Sequence, residues 1–497
     1  MASPWQKSIS AKTLQKSNNT TTKTASTVEK YDLIVIGGGP AGYVAAIKGK
    51  RAGFKVAVIE EERVGGSCIH KGCIPTKSLW GTAVHIRRLN DSEEHGVKLS
   101  KISFDFKTAM RRQFAISDTM SKQIENRMER LNIQVICGRA GTLSRTKSGR
   151  FFRIPIKPSK GAEKEVTAKF VLIATGSRPA ESAPLISDHK KIITTDDFVK
   201  LEKLPKHLVI AGGGVIACEF ASILTQFGVK IELLEHSGQA LSAMDPEVVD
   251  VLYSVFKRDG VVVHLNTKTK AIHDKKDGIT VEVDSAGKTK KIDTDMVLIA
   301  IGRKPNSDGL GLQELGVKMT DRGHICVNEK LETGCKGIYA AGDVIGGITL
   351  AHKAWYDADI AIRAMAGEEV ATNYQTVPAA IFTVPEMASV GVTHEQAMKS
   401  KKKISVGRFY YKENAQALCV GKTLGLIKVV VDRDSDRILG CSIVGHDSSN
   451  LISEVALAMA AGLRASHICD AIHPHPSLSE MIHEAFLDAH DRSIHKL

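Results

Sequence analysis

The stretch that decides the reading is Tyr31–Glu60, YDLIVIGGGPAGYVAAIKGKRAGFKVAVIE. An apolar run from Tyr31 to Ile36 leads into Gly37, Gly39 and Gly42, and a second run, Val56 to Ile59, stops at Glu60. Glycines at this spacing let the backbone approach a pyrophosphate at a helix N-terminus, while the acid is placed to hydrogen-bond an adenosine ribose. Alone, such a pattern also fits a tight strand-to-helix turn without ligand. The chain, however, repeats it. His207 to Ala211 leads into Gly212, Gly214 and Ala217, and Ile231 to Leu234 ends at Glu235; in both copies the acid lies 18 residues after the third small position. Strand, loop, helix and acid in register, twice, predict two Rossmann-like dinucleotide-binding units in an α/β protein.

Each copy is followed by an apolar strand ending at a glycine: Val171 to Gly176 (VLIATG, with Thr175) and Val297 to Gly302 (VLIAIG). These are expected to close each sheet and to edge each dinucleotide site. Met110, Phe114, Met120, Ile124, Met128 and Leu131 predict one long amphipathic helix that serves as core. From about Asn373 the composition changes. Gly425–Val431 and Ile438–Val444 flank the turn Asp432–Arg437 as a hairpin, followed by a helix over Leu451–Leu463. The expected division is a disordered extension at 1–30, a first dinucleotide-binding domain at 31–180, a second at 181–302, a segment at 303–372 that completes the first site, and a C-terminal α+β domain at 373–497. A transit peptide is the weaker reading of residues 1–30, which would place the protein in an organelle (mitochondrial matrix or plastid) rather than the cytoplasm.

A chain of 497 residues is long enough for about three domains. No apolar run approaches the roughly 18 residues of a membrane span. The formal charge of +13 is dispersed: residues 1–30 hold five Lys against one Glu, and Lys399 and Lys401 to Lys403 form a second cluster. With aromatics at 5% and no basic stripe interleaved with stacking residues, nucleic-acid binding is not expected. Nine scattered cysteines in a large chain argue for a reducing compartment, where a disulfide is catalytic rather than structural.

The stretch GGSCIHKGCIPTK places Cys68 and Cys73 five positions apart, just beyond the first acid-ended strand. On a regular helix five steps rotate by about 140° and separate the sulfurs. Gly72 and Pro75 allow a distorted turn instead. A zinc site needs a second Cys or His pair at matching spacing, which His70 does not supply; two buried thiols beside a turn remain the plain alternative.

On these residues the chain resembles the two-cysteine flavoprotein disulfide oxidoreductases, from about Tyr31 to His490. Their redox motif usually has a Leu-Asn-Val interior, where this chain has Ile69, His70 and Lys71. The resemblance implies FAD at the first site and NAD at the second. It implies that Cys68 is the thiol that meets substrate and Cys73 the thiol against the flavin. Lys77 would lie at the flavin's reactive edge, where a cation stabilises a thiolate, with Glu219 as its partner. Gly302, Arg303, Pro305 and Asn306 fit a family signature, as does Asp343 within GIYAAGDV, the acid that holds the FAD ribityl chain in relatives; read alone, Asp343 is an acid in a turn. LAHK at 350–353 also fits, but Trp355 and Tyr356 replace the usual acidic pair.

Near the C-terminus HPHPSLSE contains His475 and Glu480. A thiol with a pKa near about 8.5 needs a base to react at neutral pH, and a carboxylate on the far ring nitrogen fixes the tautomer of a histidine base. Ser477 and Glu480 equally read as a capping box before a helix over Leu478–His490. The resemblance pairs the two as an acid–base dyad that reaches across a homodimer. It further implies dihydrolipoamide, carried on lipoyl proteins of 2-oxo acid dehydrogenase or glycine-cleavage complexes, as substrate and NAD⁺ as acceptor. Glu235, with no arginine before Arg258, argues against NADP. Cys469 is the last cysteine, so no C-terminal thiol pair is expected. The alternatives are an NADH-dependent reductase of another disulfide or of quinones, and a non-catalytic flavin-binding scaffold.

Overall fold

The computed structural model describes residues 28–159 and 161–496, so most of the N-terminal extension lies outside the described residues. Two sheets, one mixed and one all parallel, carry the two glycine patterns. In the first, the strands Gln134–Cys137, Val56–Glu60, Glu29–Ile36 and Lys164–Ile173 lie side by side, and Ile338–Ala340 adds a parallel neighbour to Lys164–Ile173. Ile34 faces both Ala57 and Val171 across the ladder. Leu33, Ile34, Val35, Ala57 and Val58 are wholly buried because helices cover one face and the antiparallel strand Phe152–Lys157 with the loops holding Leu310, Leu312 and Ile325 covers the other, which is why these strands read as continuous apolar runs rather than alternating ones.

The second sheet repeats the arrangement with Val262–His264, Lys230–Leu234, His207–Ala211, Met296–Ile299 and Ile192–Thr194, all parallel. The closing strands differ from expectation at their starts. Lys164–Ile173 begins well before Val171, because an antiparallel strand, Phe152–Lys157, needs the extra length as a partner. A three-stranded antiparallel meander, Thr267–Lys275, Gly278–Ser285 and Lys288–Thr294, interrupts the second unit.

The expected long helix is Phe106–Arg130, capped by Asp105. Its Met110 and Met128 are buried, but Phe114 is exposed and does not belong to the core stripe. The C-terminal unit is a five-stranded antiparallel sheet in which the predicted hairpin appears as Leu426–Asp432 and Ile438–Gly445. The helices Ser448–Ala460 and Glu480–Ala489 cover it. The fold is the expected α/β class with an α+β unit at the C-terminal end. No helix among the described residues is long and apolar enough to cross a membrane.

Candidate active site

Both glycine patterns open into one cavity of about 1590 Å³. In the first, Gly37 has φ +102°, and a Cβ there would lie 2.4 Å from the Ala174 carbonyl oxygen; a Cβ on Gly42 would lie 1.8 Å from the Gly37 carbonyl. Only glycine fits either place. Gly39 precedes the helix Pro40–Arg51 with no side-chain cap among the described residues, and Gly39, Pro40 and Ala41 at that helix start line the cavity. Glu60 accepts from the Gly38 N–H at 2.6 Å and the Glu62 N–H at 2.8 Å. The second pattern follows suit. Gly212 has φ +115° with the Ala300 carbonyl 2.3 Å from its missing Cβ, Gly214 leaves the helix Val215–Gln226 uncapped, and Ala217 is wholly buried. Glu235 accepts from the Ser237 N–H and hydroxyl, each at 2.7 Å. Two uncapped helix ends, each with an acid beyond it, fit two dinucleotides.

The redox stretch lines the same cavity. Cys68 sits on a single helical turn, Gly66–His70; Lys71 (φ −136°, ψ −5°) and Gly72 (φ −132°, ψ −108°) leave helical space, and a new helix, Cys73–Asn90, starts at the second cysteine. The break brings five sequence steps back to one stretch of cavity wall, where a thiol–thiol hydrogen bond couples the ionisation of Cys68 and Cys73. That bond from Cys68, helped by the positive charge of Lys77, outweighs burial and lowers the Cys73 pKa to about 7, while the same contact and burial push Cys68 up. Lys77 Nζ donates to both oxygens of Glu219 at 2.9 Å. Glu219 is buried and also accepts from the Phe382 N–H at 2.8 Å, and the Phe382 ring lies 4.8 Å beneath the Lys77 ammonium.

Asp343 lies in the short turn Gly342–Ile345 and on the cavity wall at once. Ser177, which sequence reasoning passed over, donates to it at 2.6 Å, and Arg303 donates to the Ser177 hydroxyl at 2.7 Å. Thr175, Gly176, Gly302 and Asn306 also line the space, and the Thr175 hydroxyl donates to the Asn306 carbonyl at 2.6 Å. Of the unusual Trp355–Tyr356 pair, Tyr356 accepts from the Asn373 N–H at 2.9 Å and packs against Tyr374, pinning the chain that leads into the C-terminal unit. Trp355 is exposed and meets the Tyr43 hydroxyl of the helix Pro40–Arg51.

His475 Nδ1 lies 2.8 Å from Glu480, whose other oxygen accepts from the Ser477 N–H at 2.7 Å. Glu480 therefore serves the helix start and the histidine together, and these contacts outweigh its burial to lower its pKa. Within one chain the pair does not line the cavity that holds Cys68 and Cys73. His475 is instead 72% exposed in its side chain.

The fold and site define a two-dinucleotide oxidoreductase with a cysteine pair. The chain belongs to the pyridine nucleotide-disulphide oxidoreductases, whose family pattern matches residues 31–358, with that family's dimerisation domain over 377–486. It is 36% identical to the dihydrolipoyl dehydrogenase of Bacillus subtilis strain 168, covering 94% of this chain and 99% of that one. Against the dihydrolipoyl dehydrogenase of Geobacillus stearothermophilus the identity is 34%, over 91% and 95%. Among solved structures, the HOCl-induced flavoprotein disulfide reductase RclA of Escherichia coli, as its Cu(II) complex, superposes with a TM-score of 0.81 at 30% identity, covering 92% of this chain and 99% of that one. LpdA from Mycobacterium tuberculosis does so at 0.86 and 27% identity, with the same coverage. FAD and NAD are the cofactors of this family.

Proposed function

We propose that the chain is an FAD-containing, NAD-dependent dihydrolipoyl dehydrogenase that works as a homodimer. The observation that carries this reading is the Cys68–Cys73 pair, folded together by the break at Lys71–Gly72 in the wall that both glycine cradles share. Gly37, Gly39, Gly42, Glu60, Thr175, Gly176 and Asp343 would hold FAD; Gly212, Gly214, Ala217, Glu235 and Gly302 would hold NAD. When bound, the two dinucleotides supply the route by which an electron pair leaves the cysteines and ends as a hydride on the nicotinamide.

The chain's own residues handle the sulfur and proton chemistry. His475 of a second copy, oriented by Glu480, takes a proton from the substrate dithiol. In the oxidised enzyme, where Cys68 and Cys73 are joined as a disulfide, the substrate thiolate attacks Cys68 Sγ; the Cys68–Cys73 bond breaks, and Cys73 leaves as the thiolate. Its lowered pKa makes it the better leaving group, and Lys77, braced by Glu219, stabilises the charge. The second substrate thiol then displaces Cys68, so the substrate ends as its cyclic disulfide and the cysteine pair carries its two electrons. Glu235 at the ribose position favours NAD over a 2′-phosphorylated cofactor.

The test is steady-state turnover of dihydrolipoamide with NAD⁺ by the wild type and Cys73→Ser. The variant should keep its flavin and lose turnover by at least about 10³-fold, since only one half of the exchange remains. Turnover within a few fold of wild type would overturn the assignment. The lipoyl proteins of 2-oxo acid dehydrogenase or glycine-cleavage complexes are the proposed physiological partners.

A further inference from the structure

Of the four residues between the cysteines, the three before Gly72 differ from the usual Leu-Asn-Val interior, and all three are anchored. Ile69 is buried, and the His70 ring lies 2.9 Å from the Val64 carbonyl. Lys71 reaches furthest. Its ammonium lies 2.7 Å from Glu62, in the loop after the strand Val56–Glu60, and 3.7 Å from Asp196, in the short helix Thr195–Phe198 of the second nucleotide unit. Lys71, Glu62 and Asp196 all line the main cavity. The backbone of Lys71 is also the point where the chain leaves the first helical turn, so its position fixes the offset between the two sulfurs.

We propose that Lys71 is a positioning residue: by tying the junction of the redox turn to carboxylates of both nucleotide units, it holds Cys68 and Cys73 in hydrogen-bond contact. The proposal rests on the reading of these cysteines as the redox pair. The anchor is firm for two reasons. Burial disfavours the Lys71 ammonium, yet Glu62 and Asp196 outweigh it and leave its pKa raised. Asp196, for its part, has one buried oxygen with no hydrogen-bond partner among the described residues; burial raises its pKa, and Lys71 and Arg303 supply the opposing charge. Releasing Lys71 would therefore strand a poorly solvated carboxylate.

The consequence concerns Cys73. The contact from Cys68 is the largest of the interactions that bring it to about 7 from the ordinary 9.0; Lys77 and the Cys73 backbone N–H also lower it, against burial and Glu219, which raise it. Lys71 does not act on that thiol directly, so losing Lys71 reaches Cys73 only by letting the turn relax.

The experiment follows the long-wavelength absorbance of a thiolate against flavin in the two-electron-reduced holoenzyme as a function of pH. The wild type should titrate near 7. Lys71→Met should move the midpoint up by about one pH unit, while Lys71→Arg, which keeps the cation, should restore it. The double variant Glu62→Gln/Asp196→Asn, which keeps Lys71 and removes its anchors, should shift like Lys71→Met and carries the test if Lys71→Met does not fold. A wild-type midpoint in Lys71→Met or the double variant would overturn the proposal, as would an equal shift in Lys71→Arg. A wild type with no such band at any pH would instead sink the redox-pair reading itself, and this proposal with it.

Discussion

Gly37 and Cys73 show how one residue carries a whole inference. At Gly37 the backbone is left-handed and a Cβ would overlap the Ala174 carbonyl, so Gly37→Ala should cost on the order of 2 kcal/mol or more and release flavin. Thermal unfolding together with the flavin-to-protein ratio checks this; an unchanged ratio and midpoint would refute it. At Cys73 the sign follows from the lowered pKa. The leaving thiolate is available above about 7 and is protonated below it, so dithiol turnover should fall as pH drops through that value. Lys77→Met removes the nearest cation and leaves Glu219 buried without its ion pair, so it should move the same limb to higher pH. Both cysteines were legible from their spacing and from the resemblance, Lys77 and Glu219 from the resemblance alone. Ser177 and Asp196 were not, for each acts through a contact far along the chain, and Glu62, nine residues from Lys71, was not because no motif includes it.

The elements divide in the same way. The parallel strands announce themselves as apolar runs bounded by glycines, and the redox helix breaks where Gly72 permits it. The three-stranded meander Thr267–Thr294 was missed although its signals are local: Asp277–Gly278 and Ala286–Gly287 mark two hairpin turns, and Ile279, Val281 and Val283 alternate between them. The start of the helix Glu480–Ala489 has a double use, since Glu480 holds both the Ser477 N–H and His475. Its folded-state pKa is depressed, so the stability it adds is present above the unfolded carboxylate pKa and fades as pH falls through the folded value. Glu480→Gln should erase that acid-side dependence and reduce dithiol turnover by roughly 10²-fold or more through a misoriented His475. Urea unfolding at several pH values, set beside the turnover profile, separates the two effects; an unchanged turnover would leave Glu480 a helix cap alone.

For the whole molecule the decisive fact is that one chain does not bring His475 to its own cysteine cavity. The region matched by the dimerisation domain leaves Leu457 70% and Ile472 99% exposed, one on a covering helix and the other three residues before His475. Exposed apolar side chains beside a dyad without its sulfur partners fit a second copy as the missing wall. Leu457→Asp with Ile472→Asp should yield a monomer by sedimentation that keeps flavin and loses dithiol turnover; an active monomer would contradict the shared site. The buried Lys428 ammonium, 2.9 Å from Asp245 and 3.0 Å from Glu247, joins the C-terminal sheet to the second nucleotide unit. The central claim is most directly tested by anaerobic titration of the purified protein with dihydrolipoamide, recording the flavin spectrum and then adding NAD⁺. The expected result is a long-wavelength band that vanishes in Cys73→Ser, followed by NADH. A bleached flavin without that band, or no response until NADH is supplied, would contradict dihydrolipoamide as the substrate.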